Sequence, residues 1–271
     1  MSELWSLIRC DGPVIVNVPH AGQIVPDGLA ARLTPVASRM PDTDWHVEKL
    51  YAFAPDCNAT LMCATYSRIA VDLNRDPSGG TLYPNAANTE ICPASTFRDE
   101  PIYQAGMAPG AIEIARRLKQ YWWPYHAQLS AEIERITAIH GYCILLDAHS
   151  IVSAVPRFFS GRLPDLNLGT ADGSSCDPAL AGAVFAVLTG AHGFTAVHNG
   201  RFKGGYITRH YGRPADGVHA LQLEMAQACY MDENHPDDYN QDRAGPLRKV
   251  LQLLIQTLLA WHPGFGETPK K

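Results

Sequence analysis

The chain has 271 residues, 46% of them hydrophobic and 18% charged, with a formal net charge of −5. That is the balance of a globular protein with enough apolar material for one large α/β core, and it excludes a disordered chain. It also argues against nucleic acid as the main partner, because phosphate binding needs a basic face, although a few local arginines suffice for a small anion.

In chain order, the opening MSELWSLIRC shows no basic-then-apolar signal pattern, so neither a leader nor a membrane span is expected. Apolar runs predict strands at 13–18 (PVIVNV) and 60–65 (TLMCAT). Between them Val47, Leu50, Tyr51 and Ala54 recur at i, i+3, i+4, i+7, the buried face of a helix. Pro- and Gly-rich composition predicts a long loop at 76–110, followed by an amphipathic helix at about 111–139 that Pro124 should kink or split. A strand at 143–147 and a second long loop at 160–176 come next. Asp177-Pro178 then opens a capped helix ending near Gly190. Strands at 194–197 and 220–225 and a helix at 246–261 complete the chain. Strands alternating with helices predict one α/β domain over 1–271, its central sheet mostly parallel and flanked by helices. Long loops inserted in a compact enzyme tend to line the active site. The seven cysteines are scattered, with no C-x-x-C pair, and most read as buried free thiols, which fits a reducing cytoplasm.

Polar residues cluster where the predicted strands end, which is where open α/β sheets bind ligands. The first strand leads to Pro19-His20-Ala21-Gly22, the second through Ser67-Arg68 to Asp72-Leu73-Asn74-Arg75, and the strand 143–147 into Asp147-Ala148-His149-Ser150. Hydrolytic zinc commonly takes two histidines and a carboxylate, leaving a position for water. His20 and His149 are the candidate histidines. Asp44 is the favoured carboxylate, with Asp42 as the alternative unless it only caps the following helix. His126, His140 and His192 read as structural or surface residues.

In His219-Ala-Leu-Gln-Leu-Glu224, alternation sets Gln222 and Glu224 on one face and Leu221 and Leu223 on the other. A carboxylate in an apolar strand is costly unless paired or functional. Glu224 therefore reads either as a general base or as a buried salt-bridge partner. Arg68, Arg75 and Arg209 are candidate anion clamps. The glycine pair in Phe202-Lys203-Gly204-Gly205-Tyr206-Ile207-Thr208-Arg209 suggests backbone passing close to a ligand, or a surface turn. Ser150 beside His149 invites a serine-hydrolase reading, but adjacent strand residues point apart. No H-E-x-x-H, P-loop or G-x-S-x-G motif occurs.

VNVPHAGQIVP, DTDWHVEKLY, SRIAVDLNRDP, LLDAHS and the run RFKGGYITRHYGRPADGVHALQLEMAQACYMDE together resemble the N-formylglutamate amidohydrolase family. The likeness covers about 14–235, and the long run is its most specific part. The resemblance implies a fold similar to zinc carboxypeptidases and aspartoacylases, and a zinc or other divalent cofactor. It implies hydrolysis of N-formyl-L-glutamate to formate and L-glutamate, with another N-acyl amino acid or a small peptide as the alternative substrate. It implies His20, Asp44 and His149 for metal, Asn74 and Arg75 for a substrate carboxylate, and Glu224 for catalysis. Beside that set, Arg68 is expected to assist catalysis at the oxyanion, and Arg209 or Lys203, with Tyr206, to meet the second substrate carboxylate. Two departures stand out: His-Ala-Gly replaces a common His-Ser-Gly, and Gln23 occupies the place where carboxypeptidase-like relatives put their ligand carboxylate. That carboxylate is then expected from 42–44. Neither a nucleic-acid nor a membrane partner is expected, and the sequence leaves oligomeric state open.

Overall fold

The computed structural model describes residues 3–80 and 89–264. Seven strands are present: β1 (Trp5–Ile8), β2 (Val14–Val18), β3 (Thr60–Ala64), β4 (Cys143–Ile151), β5 (Leu166–Gly169), β6 (Ala196–His198) and β7 (Val218–Ala226). They form one sheet in the order β1-β3-β2-β4-β7-β5-β6. Pairings β2–β3, β2–β4, β4–β7 and β5–β6 are parallel, whereas β1–β3 and β5–β7 are antiparallel. The mostly parallel α/β sheet expected from the sequence is present, with antiparallel pairs outside its four central strands. Among the described residues, no helix is long and apolar enough to cross a membrane, and all seven cysteines are free.

Two strands lie where none was expected, β5 and β1. The stretch 160–176 is not wholly a loop, because β5 lies inside it; four short residues gain strand structure by pairing with β7 and β6. The edge strand β1 alternates between partly buried and exposed residues, too weak a pattern to predict. In the 76–110 segment, residues 89–110 form no helix or strand, as expected, while 81–88 lie outside the described residues.

The helices are α1 (Val47–Leu50), α2 (Ala111–Arg117), α3 (Trp123–His140), α4 (Pro178–Thr189), α5 (Tyr206–Tyr211) and α6 (Gln241–Ala260). The expected long helix is split at a wide turn over Leu118–Trp122, one turn ahead of Pro124. Proline has no N–H for the preceding turn, so the break falls there. Asp177 caps α4 by accepting from Ala179 N at 2.7 Å. α6 starts earlier than expected, capped by Asn240 accepting from Arg243 N, with Pro246 tolerated in its second turn.

The sheet buries both faces. Val14, Val16, Ile144, Leu146, Leu221 and Leu223 pack toward α4 and α6, whereas Ile15, Cys143, Leu145, Val218 and Ala220 pack toward α3 and α5. Along this second face the lower half of each central strand is apolar and the upper half polar. Ile15 is followed by Asn17, Leu145 by Asp147 and His149, and Ala220 by Gln222 and Glu224. The parallel register aligns Asn17 with Asp147, Asp147 with Gln222, and His149 with Glu224. The layer that makes core at one end of the sheet thus makes a polar floor at the other.

His126 on α3 is structural, as expected. Its ring stacks on Trp122 at 3.7 Å between centroids, and its nitrogens contact Leu73 O at 2.8 Å and the Tyr211 hydroxyl at 2.9 Å. Burial pulls its pKa down to about 4. The unfolded chain, with an ordinary His pKa near 6.5, binds the proton more tightly. His126 therefore contributes stability above about pH 6.5 that is lost as pH falls toward its folded pKa, up to about 3 kcal/mol. We expect the stability lost between about pH 7 and about pH 5 to be smaller in His126→Gln by about 2 kcal/mol. Urea unfolding at both pH values checks this; equal losses in the two proteins would contradict it.

Candidate active site

The candidate site lies in a cleft at the carboxyl ends of β2, β4 and β7. His20 follows β2, Asp44 precedes α1, and His149 stands on β4, which continues past the expected end at 147 to Ile151. All three are at least 97% buried. One potential ligand atom from each lies within 4.8 Å of the others, so the group could hold a metal ion. Asp44 Oδ2 is 3.0 Å from His149 Nδ1 and 3.8 Å from His20 Nδ1.

The surrounding hydrogen bonds fix which nitrogens face inward. His20 Nε2 lies 2.8 Å from Asp72 Oδ1. Burial disfavours charge on Asp72, but Arg68 and His20 outweigh it and hold the carboxyl well below its ordinary range. An ionised carboxylate only accepts, so His20 Nε2 carries the proton and Nδ1 presents a lone pair. That Nδ1 is buried, has no hydrogen-bond partner, and faces the Asp44 oxygen. Two electron-rich atoms facing each other in a buried site fit a cation between them. His149 is arranged alike: Nδ1 toward Asp44, and Nε2 2.9 Å from Asp147 Oδ2. Burial lowers its pKa, yet Asp147 and Asp44 more than offset this and hold it well above 6.5. The cluster thus draws positive charge to the position a metal would take. Histidines backed by carboxylates are the usual outer support of metal ligands.

Asp42, the alternative carboxylate, is elsewhere. Its oxygens accept from Phe97 N at 3.2 and 3.0 Å, and burial raises its pKa to about 6. It does not cap α1, whose preceding residue is His46. Glu224 lines the cleft, paired in register with His149 and contacted by Gln222 Nε2 at 3.3 Å. It forms no salt bridge among the described residues. Burial, reinforced by Asp44 and Asp147, pushes its pKa up to about 8 against the pull of His149 and Arg68.

Arg68, Asn74 and Arg75 also line the cleft. Arg68 donates to Asp72 Oδ2 at 2.6 Å and lies 4.8 Å from the Phe97 ring centre. Arg75 donates to Thr89 Oγ1 and to Asn74 O, both at 3.0 Å. The Asn74 amide is committed inward: it donates to Asp147 Oδ2 at 3.1 Å and accepts from Ile207 N at 2.7 Å. Lys203, Tyr206 and Arg209 are not brought to the cleft. Lys203 pairs with Asp172 at 2.8 Å, Tyr206 stacks on His210, and Arg209 Nε donates to Gly204 O. Their segment contributes Phe202 and Gly205 instead. A Cβ on Gly205 would sit 2.4 Å from Asn74 Nδ2, so close packing against Asn74 requires glycine there.

Ser150 points away from His149, as alternation requires. Its Oγ accepts from Tyr230 OH at 2.8 Å and Gln227 Nε2 at 3.3 Å, leaving no serine–histidine pair. The sequence reading missed Asp72 and Asp147 as supports, Arg201 as a cleft cation, and the aromatic wall of Phe97, Phe158 and Phe202. Asp147 was within reach of the same alternation that placed Gln222 beside Glu224, because it shares a strand face with His149. Arg201 carried no such signal.

A metal-capable His–Asp–His cluster, a buried glutamate and clustered arginines line one cleft, the arrangement of a hydrolytic enzyme of the α/β type. The sequence pattern of N-formylglutamate amidohydrolase matches residues 12–231. The chain is 48% identical over 261 residues to N-formylglutamate deformylase of Pseudomonas putida, covering 96% of this chain and 97% of that one. It is equally similar, at 48% over 261 residues, to the deformylase of Pseudomonas aeruginosa, covering 96% and 98%. The crystal structure of N-formylglutamate amidohydrolase from Ralstonia eutropha is 28% identical, with a TM-score of 0.79 over 94% of this chain and 96% of that one. This chain belongs to the N-formylglutamate amidohydrolase family.

Proposed function

We propose that the chain works as one domain, in the cytoplasm, hydrolysing N-formyl-L-glutamate to formate and L-glutamate. The observation that carries this reading is Glu224, buried at the strand position opposite His149 and opening on the same cleft as the metal-capable cluster. A protein that only bound metal or amino acid would have no use for a proton acceptor there.

His20, Asp44 and His149 are proposed as ligands, and zinc as the metal, since two imidazoles and a carboxylate suit catalytic zinc; another divalent ion with the same geometry would serve similarly. Bound there, the metal supplies Lewis-acid polarisation of the formyl oxygen and makes water more acidic. Asp72 and Asp147 keep the two imidazoles turned so that both Nδ1 atoms face Asp44. Glu224, whose carboxylate form a cation at the neighbouring cluster would favour, takes the proton from the attacking water and passes it to the departing nitrogen. Arg68, fixed by Asp72, stabilises negative charge developing on the formyl oxygen. Arg75 receives the α-carboxylate, and Asn74, held by Asp147 and Ile207, sets the position of Arg75.

The nearest rival is the same machinery acting on another N-acyl amino acid or a small peptide. Formate release from N-formyl-L-glutamate is expected to exceed turnover of N-formyl-aspartate, N-acetyl-glutamate and a dipeptide. Faster turnover of any of those three would move the substrate assignment to it.

A further inference from the structure

We propose that Arg201 receives the side-chain carboxylate of the substrate and thereby sets selectivity for an acidic N-formyl amino acid; this rests on the deformylase reading above. N-formyl-glutamate carries two carboxylates, and enclosing either without a partner is costly. One cation therefore serves the carboxylate beside the scissile amide, and a second serves the one at the end of the side chain.

Three arginines line the cleft: Arg68, Arg75 and Arg201. Arg68 lies against the metal-capable cluster, 2.6 Å from Asp72 and 3.5 Å from Asp44. Arg75 donates to the backbone of Asn74, whose amide lies 2.9 Å from His149 Nε2, so it belongs to the part of the cleft next to the cluster. The α-carboxylate, close to the scissile bond, falls to it. Arg201 arrives from a separate segment, between β6 and α5. Its Nε donates to Phe158 O at 2.8 Å, and its guanidinium lies 5.6 Å from the Phe158 ring centre and 5.4 Å from that of Phe202.

That setting suits the outer end of a glutamate side chain. Phe158 and Phe202 both line the cleft and offer apolar surface to the two methylenes, while the guanidinium is held at the same wall. An oriented guanidinium takes a carboxylate through paired hydrogen bonds that an ammonium cannot reproduce. Lys203 and Arg209, nearby in sequence, line no part of this cleft.

The test compares kcat/KM for N-formyl-L-glutamate and for its neutral isostere N-formyl-L-glutamine in wild type, Arg201→Gln, Arg201→Lys and Arg75→Gln. The preference is a ratio within each protein, so a partly folded sample does not distort it. Arg201→Gln should reduce the wild-type preference for the acidic substrate by about 10–100-fold, the worth of one charge-assisted contact. Arg201→Lys should retain part of it, and Arg75→Gln should lower both substrates together. A wild type without preference, an Arg201→Gln that keeps it, or an Arg75→Gln that abolishes it would overturn the assignment. A wild type that releases formate from neither substrate would instead overturn the deformylase reading on which it stands.

Discussion

Glu224→Gln is expected to leave a folded, metal-competent protein whose formate release falls by about 10²–10⁴-fold, the usual contribution of a positioned general base. Glutamine keeps the size of the side chain and still meets Gln222, which contacts Glu224 at 3.3 Å. It cannot accept a proton from water. The carboxylate forms no salt bridge among the described residues, so removing its charge leaves no buried cation without its partner. The large effect is thus expected on turnover and not on the fold. Kinetics paired with metal content and a thermal melt would separate the two, and turnover near wild type would remove Glu224 from the chemistry.

The second large effect is expected at Asp44 and not at Asp42. Asparagine at position 44 retains an oxygen for the Ser150 N–H, which now donates at 3.1 Å, but withdraws the charge facing both imidazoles. Zinc affinity should weaken by more than the roughly 10–100-fold that changes to outer-shell partners produce. Asp42→Asn should keep its metal, because that side chain holds the Phe97 N–H and not the histidines. Metal analysis of both variants after dialysis checks the pair. Loss of metal from Asp42→Asn with retention by Asp44→Asn would reverse the proposed ligand set.

What the sequence made legible was set by local periodicity. The five buried residues of β2 and the alternation of Gln222 and Glu224 with Leu221 and Leu223 appear directly in the residue pattern. So does the cap at Asp177. The buried face Val47, Leu50, Tyr51 and Ala54 was correct, although α1 is only one turn and the remaining residues continue as tighter turns up to Pro55. β5 was hidden because its strand state depends on pairing with β7, a partner distant in sequence.

The site divided along the same line. His20, His149 and Glu224 announced themselves as polar residues at or beyond apolar strands, and the three meet in one cleft. The choice between Asp42 and Asp44 stayed open because two residues of spacing in an irregular segment do not fix direction. His20 O accepts from Asp44 N, which ties that residue, and not Asp42, to the first histidine. Lys203, Tyr206 and Arg209 shared a distinctive segment with Gly205, but Phe202 and Gly205 are the residues near its start that line the cleft, while Lys203 pairs with Asp172 and Tyr206 and Arg209 lie on the short helix α5. Arg201 enters through tertiary packing against Phe158, which no local pattern encodes.

The central claim is that the cluster of His20, Asp44 and His149 serves metal-dependent deformylation. Formate release from N-formyl-L-glutamate, measured on purified protein, then after chelation, then with zinc restored, tests it most directly. Release that disappears with the chelator and returns with zinc is the expected result. Full activity in the chelator, with no metal left in the protein, would contradict it.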